Sequence, residues 1–496
     1  MSAPTAQDRD DGTSSIVSPA YIAVTIANLT VVALAAFDGL AIVAALPSIA
    51  EDLGDVALLP WVITAYLGTS AVAVVVAGPV VDAIGVRRTF QMTGVWFLAT
   101  SAAAAVAPTL PILVAARALQ GLGGGLIISV ALAAVGLAYP HRLRSRAFAA
   151  NSLVWGLMGF GGPALAAGLL SFGDWRLLFA INLPLGAVAL AMGWRTLPTI
   201  DGPRSRIVVD WPGIAMLSIL TATSLAAVAQ VGVNWAVVAA ATIATAVVTV
   251  AYWHHSGRAA HPVLERGHLT RFPMRRIHVT SGLVLIAGLA ANNYLPLYVQ
   301  VSRGRSEAFA AFSVVFLTVG WTVASLISAK LMDRRSEAEV ILLGGVIIVP
   351  SVAFSGVTIA FDMPLAVIFA AFFVVGMGIG FVSTAGLTLL QASSEPAEIG
   401  RVNAAHQFIR TLCITYAVAA GGAILLLVVD YQVGDVEVVR DVLAGEDVAL
   451  GPATAAAVGD GVVWVTALSF VASLGCLWVA WVLARRTRAL RPVRQG

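Results

Sequence analysis

Long apolar stretches recur along the whole chain and restrict its fold more than any other feature. A helix of about 20 apolar residues crosses roughly 30 Å of hydrocarbon, and about fourteen segments reach that length or come close to it. Only 11% of the 496 residues are charged and 59% are hydrophobic, whereas about 25% of a soluble domain is charged. We therefore predict an all-α integral membrane protein with 14 transmembrane helices. The predicted spans are residues 20–47, 57–80, 90–107, 110–138, 148–171, 176–197, 212–231, 234–253, 279–300, 308–330, 339–360, 364–390, 404–429 and 461–484.

The distribution of Lys and Arg gives the orientation of these spans. With an even number of spans both tails lie on one side, and about 23 of the 29 Lys and Arg residues fall on that side. Cytoplasmic loops carry the excess of positive charge in membrane proteins. The sequence therefore predicts a multi-pass protein of the bacterial inner membrane with both termini in the cytoplasm.

An internal repeat divides the spans into two related sets. Gln120–Asn151 aligns without gaps with Val375–His406, so that Gly121, Gly123 and Gly125 fall on Gly376, Gly378 and Gly380. A second pair of segments, Gly78–Asp82 and Ala329–Asp333, shares the spacing of a small residue and an aspartate. Related halves are common in transporters, although chance similarity between Gly- and Ala-rich helices is an alternative.

The repeat leaves two spans unpaired between the halves. We predict two pseudo-symmetric six-helix bundles joined by two linker helices. The predicted parts are a cytoplasmic tail at 1–19, the first bundle at 20–200, the linker helices at 210–255, a cytoplasmic loop at 256–278, the second bundle at 279–484 with an acidic extracytoplasmic loop at 430–460, and a basic cytoplasmic tail at 485–496.

Two ionisable residues lie deep inside predicted spans. Asp38 is in the first span with no other charge within ten residues, and Arg117 is in the fourth. Both lie roughly 12–13 Å below the outer surface at 1.5 Å per residue. Pairing lowers the desolvation cost of both charges, and a carboxylate that is alternately paired and protonated can carry protons. A neutral, backbone-bonded Asp38 and a structural Arg117 are the alternatives.

The turn between spans two and three contains small and charged residues at fixed spacing. Gly78 permits close helix approach, Gly85 permits the turn, and Asp82 can accept hydrogen bonds from a neighbouring helix N-terminus. Arg87 and Arg88 follow the turn. We interpret these residues as a cytoplasmic gate motif.

Other features give weaker expectations. The fifth span carries the small residues Gly159, Gly162 and Gly168 with Pro163, which permit close packing or flexing. Candidate residues of a substrate path are Gln120, Asn292, Asn293, Tyr294 and Arg410, although Arg410 could also snorkel to the cytoplasmic surface.

The sequence predicts no catalytic, metal or cofactor site. The two cysteines lie in apolar runs, and the histidine spacings match no zinc template. A membrane-embedded enzyme would need a hydrolytic or metal constellation, so we predict that the chain is not an enzyme.

Together these motifs resemble the major facilitator superfamily, and within it the fourteen-spanner drug/proton antiporters. GPVVDAIGVRR at 78–88 is similar to the signature between helices two and three, and RALQG at 117–121 is similar to the fourth-helix motif. FDGLAIVAALPSIA at 37–50 resembles the first-helix motif with Asp38 in the acidic position. DWRLLFAINLPLG at 174–186 resembles a further signature. Two departures are the Ala166-Ala167 pair after Gly162-Pro163, with Gly168 one place late, and TLCITY after Arg410.

The resemblance implies proton-driven export of lipophilic or amphipathic compounds by alternating access, with Asp38 and Arg117 in proton coupling. The expected partners are a small substrate, protons and membrane lipids, without nucleic acid, and the expected state is a monomer. Alternatives are an exporter or flippase of a lipid or cell-envelope component and, more remotely, a non-transporting scaffold or sensor.

Overall fold

The computed structural model describes residues 15–54, 58–59, 61–199, 208–231, 234–434 and 451–489, and regular structure within these ranges is helical throughout. A π-helical turn at Tyr298–Ser302 and a 3₁₀ turn at Pro396–Glu398 accompany the α-helices. The α-helices are α1 (Ile22–Leu53), α2 (Trp61–Ile84), α3 (Val86–Ala105), α4 (Leu110–Ala138), α5 (His141–Leu170), α6 (Leu177–Ala180), α7 (Asn182–Thr196), α8 (Trp211–Ala229), α9 (Trp235–Ser256), α10 (Arg266–Thr270), α11 (Met274–Leu297), α12 (Glu307–Phe312), α13 (Val315–Leu331), α14 (Glu337–Ala360), α15 (Leu365–Ala392), α16 (Ile399–Val433) and α17 (Pro452–Ala489).

Among the described residues, 12 helical segments are long and apolar enough to cross a membrane, or 13 if the bent α5 counts as one span. The all-helical membrane fold is thereby confirmed. The predicted span at 90–107 coincides with α3, which is helical but is absent from this set. Its polar side chains lower its apolar content, and the hydroxyls of Thr89, Thr93 and Thr100 donate to carbonyls of the preceding turn.

Several helices extend past the apolar stretches that predicted them. α16 continues to Val433 and α17 begins at Pro452, so both helices enter the predicted acidic loop at 430–460. Polar residues next to an apolar stretch can also have high helix propensity, and the Ala-rich start of α17 favours a helix. The remainder of that loop at 435–450, and the tail segments at 1–14 and 490–496, lie outside the described residues.

The predicted fifth span, α5, is bent. Its two parts, His141–Gly159 and Ala164–Leu170, meet at 48°. Sharp helix bends occur at proline or at small residues, and both are present between the two parts. Gly159 and Gly162 lie at the bend and Gly168 beyond it, whereas the side chain of Pro163 lies outside the described residues.

The chain forms two compact units, each drawn from separate stretches of sequence. The first unit contains the described residues of Met1–Ile214, Ala259–His268 and Leu390–Phe408. In it α2 packs against α4, and α1 packs against α5 and α7. The second unit contains the remaining stretches, and in it α11 and α14 pack against α17.

The internal repeat has a counterpart in the packing of each unit. A Cβ atom on Gly121 or Gly125 of α4 would press on the carbonyl groups of Tyr66 or Ser70 in α2. The aligned Gly376 and Gly380 of α15 lie in the same way against Leu317 and Trp321 of α13. Both pairs of partner residues are one helical turn apart. Each unit therefore uses two glycines of the repeat to bring two helix backbones together.

These glycines should tolerate no side chain. We expect Gly121→Ala and Gly376→Ala each to destabilise the protein by about 1–3 kcal/mol, because an added methyl group meets backbone atoms that cannot yield. The measurement is the thermal unfolding midpoint of the purified protein in detergent. Gly161→Ala is the matched control, because among the described residues no atom beyond its own stretch of helix lies within 4 Å of its Cβ position. An equal loss in all three variants would contradict the close-contact explanation.

Candidate functional site

The first unit buries an acidic and a basic side chain in contact with each other. Asp38 is in the middle of α1 and Arg117 is in α4, and their side chains are 2% and 1% exposed. Arg117 Nη1 donates a hydrogen bond of 2.7 Å to Asp38 Oδ2. The neighbouring residues Phe37, Ala116 and Phe179 belong to the apolar core of this unit. The pair therefore lies in a low-dielectric environment where each charge depends on the other.

Two amides and a hydroxyl surround the pair. Gln120, one turn after Arg117 in α4, donates 3.0 Å to Asp38 Oδ1 and accepts 2.9 Å from Arg117 Nη1. Asn182, the first residue of α7, donates 3.3 Å to the same Asp38 oxygen. The Ser101 hydroxyl of α3 accepts from both amides, at 2.9 Å from Gln120 and 2.8 Å from Asn182. We call Asp38, Arg117, Gln120, Asn182 and Ser101 the coupling cluster.

Aromatic rings and a backbone carbonyl complete the surroundings of Arg117. Its guanidinium carbon lies 4.1 Å from the centre of the Tyr66 ring and 5.6 Å from that of Phe179. Its Nε donates 3.2 Å to the carbonyl of Val62. Cation–π contacts of this kind are strong when they are desolvated. Residues of α2, α4 and the α6–α7 region therefore contact the Arg117 cation in addition to Asp38.

A second ion pair anchors the segment that positions Asn182. Asp52, in the last turn of α1, accepts hydrogen bonds from Arg176 Nη1 at 2.8 Å and from Trp175 Nε1 at 3.1 Å. The Arg176 hydrogen bond holds the pKa of Asp52 below its ordinary value. Because Arg176 and Trp175 directly precede α6, this contact ties the start of α7 to the end of α1. Asn182 is thereby held within the coupling cluster, and Phe179 is held against it.

The predicted gate motif makes contacts at the other end of α2. Asp82 accepts hydrogen bonds from the backbone N–H groups of Gly400 and Arg401, at 2.9 and 3.1 Å. These groups belong to the first turn of α16, which is a neighbouring helix N-terminus of the kind that can donate hydrogen bonds to Asp82. Gly78 lies against Arg401 and Ala404, where a Cβ atom would approach the Arg401 Cα to 2.8 Å.

The rest of the gate motif shapes the turn and supports α7. Gly85 has a φ of 85° and precedes the first residue of α3, a conformation that favours glycine. Arg87 donates to the carbonyls of Arg195 and Leu197 at the end of α7, and the Arg195 bond is 2.8 Å. Arg88 is exposed. Arg87 therefore places a positive charge next to the C-terminal carbonyl groups of α7, which favour a cation.

A segment of the predicted cytoplasmic loop also joins this region. Arg401 Nε lies 3.4 Å from Asp82 and 3.4 Å from Glu265. The buried His268 has its Nε2 3.7 Å from Glu265 and 4.0 Å from Glu398. The carboxylate of Asp210 accepts 3.3 Å from the Val263 N–H. Part of the stretch 259–268 is thus packed into the first unit by polar contacts.

A family model described as Major Facilitator Superfamily matches residues 29–418. The chain belongs to this superfamily. It is similar to a "Probable multidrug-efflux transporter" of Mycobacterium tuberculosis, with 29% identity over 82% of this chain and 88% of that protein. It is also similar to the multidrug transporter protein MdtP of Bacillus subtilis, with 25% identity over 79% of this chain and 72% of that one.

A solved structure supports the same fold. The human organic anion transporter MFSD10 matches with a TM-score of 0.62 at 15% identity, covering 94% of this chain and all of that one. At this identity the likeness concerns the fold alone. Membership of the superfamily and the transporter relatives show that the chain is a multi-pass membrane transport protein and not an enzyme. No group of three or more potential metal ligands occurs among the described residues.

The other predicted substrate-path residues of this superfamily member lie in the second unit. Asn292 of α11 is buried, and its Oδ1 has no hydrogen-bond partner within the described ranges. Asn293 donates 2.6 Å to the carbonyl of Leu289, and Tyr294 donates 2.6 Å to that of Val418. The guanidinium of Arg410 lies 5.8 Å from the ring centre of Trp321. Gln120, in contrast, is part of the coupling cluster in the first unit.

Ser101, Asn182 and Tyr66 are site residues that the sequence-based prediction did not include. Ser101 and Asn182 are uncharged polar residues in apolar spans. Such residues are too common to be chosen as site residues unless it is known which face of the helix they occupy. Asn182 does lie in the conspicuous DWRLLFAINLPLG segment. The resemblance of that segment to a family signature was the one sequence feature that marked Asn182, and it did not indicate the role of the asparagine.

Proposed function

We propose that this transporter exports lipophilic or amphipathic compounds in exchange for protons, with Asp38 as the proton carrier and Arg117 as its modulator. The observation that carries the proposal is the buried Asp38–Arg117 pair, which has a 2.7 Å contact and almost no exposure. An isolated carboxylate in hydrocarbon must be paired or protonated. A site that can be in either form binds and releases a proton when its surroundings change.

The composition of the cluster supports reversible protonation. Asp38 accepts three hydrogen bonds, from Arg117, Gln120 and Asn182, and these stabilise its charged form. Arg117 keeps the Val62 carbonyl, the Gln120 oxygen and the Tyr66 ring as partners when Asp38 is neutral. Neither protonation state therefore leaves the cation without contacts.

The second unit supports a lipophilic cargo. Under the repeat alignment the position of Arg117 is occupied by Phe372. One turn earlier, Phe369 stacks on Phe316 with ring centres 4.7 Å apart. Phe309 and Phe312, two residues that are each 41% exposed, extend this group. Aromatic surfaces provide large apolar contact areas without a demand for charge. The names of the relatives from M. tuberculosis and B. subtilis point to the same class of cargo.

We further propose that the chain crosses the inner membrane fourteen times, with both termini in the cytoplasm, as in the fourteen-spanner branch. α3 is the additional crossing, and its threonine hydroxyls are satisfied by its own backbone, which lets polar side chains lie at membrane depth. The concentration of Lys and Arg on one side supports this orientation. Alternating access between two helical bundles is the transport mode that follows from this proposal.

Transport by purified protein in liposomes tests the function. We expect liposomes with an acidic lumen to accumulate external ethidium, a permanently charged amphiphile, because protons leaving the lumen drive the exchange. Accumulation should stop when an ionophore collapses the pH gradient, and protein-free liposomes are the control. Movement of a fluorescent phospholipid in place of ethidium would favour lipid export. Ethidium uptake that ignores the gradient would contradict proton antiport.

A further inference from the structure

The Asp38 carboxylate is surrounded by hydrogen-bond donors. Its Oδ2 faces Arg117 Nη1, and its Oδ1 faces the amide nitrogens of Gln120 and Asn182. N–H groups stabilise a carboxylate but cannot accept a hydrogen bond. When Asp38 takes up a proton, its new O–H group therefore needs an acceptor, which none of these three N–H donors can provide; the Tyr66 phenol, which also faces Asp38, is one candidate outside the coupling cluster.

Three oxygens of the coupling cluster are available as acceptors. Gln120 Oε1 already accepts 2.9 Å from Arg117, and Ser101 Oγ already accepts from both amides. Asn182 Oδ1 is buried and has no hydrogen-bond partner among the described residues. A buried carbonyl oxygen without a partner is costly, so its presence beside the proton carrier calls for an explanation.

We propose that Asn182 is a positioning residue that holds the proton on Asp38 by a half-turn of its amide group. The inference rests on the proposed function, in which Asp38 binds and releases a proton. The amide nitrogen and oxygen of asparagine are nearly equal in size, so a half-turn about Cβ–Cγ exchanges donor and acceptor within the same space. Asn182 then presents Oδ1 where it had presented Nδ2.

The half-turn conserves the number of hydrogen bonds that Asn182 makes to Asp38 and Ser101, and it moves Nδ2 to the buried position of Oδ1, which has no partner among the described residues. Before it, Asn182 donates to Asp38 and to Ser101. After it, Asp38 O–H and Ser101 O–H both donate to Asn182 Oδ1, while Ser101 continues to accept from Gln120. The proton comes from solvent and returns to it, and no covalent bond other than that O–H bond changes.

Few charged or titratable groups face Asp38. Within the described chain they are Arg117 of α4 and the phenol of Tyr66 of α2. The groups from α3 and α7 are the Ser101 hydroxyl and the Asn182 amide, neither of which titrates. A change at Asn182 therefore alters hydrogen bonding to Asp38 without changing the charge of the cluster.

The test is an infrared titration of the purified protein that follows the protonated carboxyl band missing in Asp38→Asn. Asn182→Leu removes a donor from the charged form and an acceptor from the neutral form. The charged form loses only the long 3.3 Å bond and keeps Arg117 and Gln120 as donors. The neutral acid loses its acceptor, so we expect the midpoint of this band to move to lower pH by about half to one unit, which is what one net hydrogen bond is worth. A donor-only role for Asn182 would move the midpoint to higher pH, and a packing role would leave it unchanged. Either result would overturn the proposal, as would a wild type without the band.

Companion variants guard against misfolding and against general effects. Asn182→Ala should shift the midpoint in the same direction, and Ser101→Ala should do so by a smaller amount. Thr100→Val is the matched control, because Thr100 is next to Ser101 but donates to its own helix; its midpoint should equal that of the wild type. The titration requires no transport. A protein that shows the shift but no gradient-driven uptake would retain the Asn182 role and lose the antiport proposal.

Discussion

Asp38→Asn should reduce pH-gradient-driven ethidium uptake to the level of protein-free liposomes. An amide has nearly the shape of the carboxylate but cannot take up or release a proton in the accessible pH range. The Asp38 side chain is 2% exposed, and no second acid is in contact with it among the described residues. The measurement is uptake by liposomes with an acidic lumen.

The control for this variant separates coupling from transport itself. Exchange of labelled for unlabelled ethidium at equal pH requires substrate movement but no net proton movement. We expect Asp38→Asn to keep this exchange and to lose only the gradient-driven accumulation. Asp38→Glu retains an acid at a shifted position and should recover part of the accumulation. Full gradient-driven uptake in Asp38→Asn would remove Asp38 from the carrier role.

Removal of Arg117 should have the largest effect on stability. We expect Arg117→Met to destabilise the protein by about 3–5 kcal/mol, because it leaves a buried carboxylate without its cation. The double variant Asp38→Asn with Arg117→Met should recover much of this loss, since no buried charge remains. Thermal unfolding in detergent at neutral pH compares the three proteins.

Arg410→Met is the matched control for Arg117→Met. Arg410 is also an arginine within a predicted span, but its contact is the Trp321 ring, and it forms no ion pair within the described part of the chain. Its removal leaves no carboxylate without a partner, so we expect a loss of about 1 kcal/mol or less. Equal losses for Arg117→Met and Arg410→Met would show that the Asp38 pairing adds nothing to stability.

Hydropathy and charge predicted most of the helical architecture, because the apolar length that a helix needs to cross the membrane can be read from each segment separately. The segment at 90–107 shows the limit of this argument. It is helical as predicted, but its threonines lower its apolar content, and only the structure shows that their hydroxyls are satisfied within the helix. The repeat was visible in sequence because the glycines that bring helix backbones together cannot be replaced freely.

The central pair of the site could be found from sequence, whereas its surroundings could not. Asp38 and Arg117 are conspicuous because charges in apolar helices are rare, and equal depth suggested their contact. The roles of Ser101 and Asn182 depend on which face of each helix points into the unit. The sequence of a weakly amphipathic membrane helix does not indicate that face. Glu265 lies in a loop and contacts Arg401, which is far from it in sequence, and no local sequence pattern predicts this contact.

The packing of the stretch 259–268 has a practical consequence for labelling experiments. By composition alone, the segment between α9 and α11, which the sequence predicts as a cytoplasmic loop, would be the natural place to insert a fluorescent protein or a protease site. Val263 and Leu264 are nevertheless only 7% exposed, and the Val263 N–H is bonded to Asp210. Insertion tolerance follows from the burial and bonding of the backbone, so a tag placed there would report on a damaged first unit.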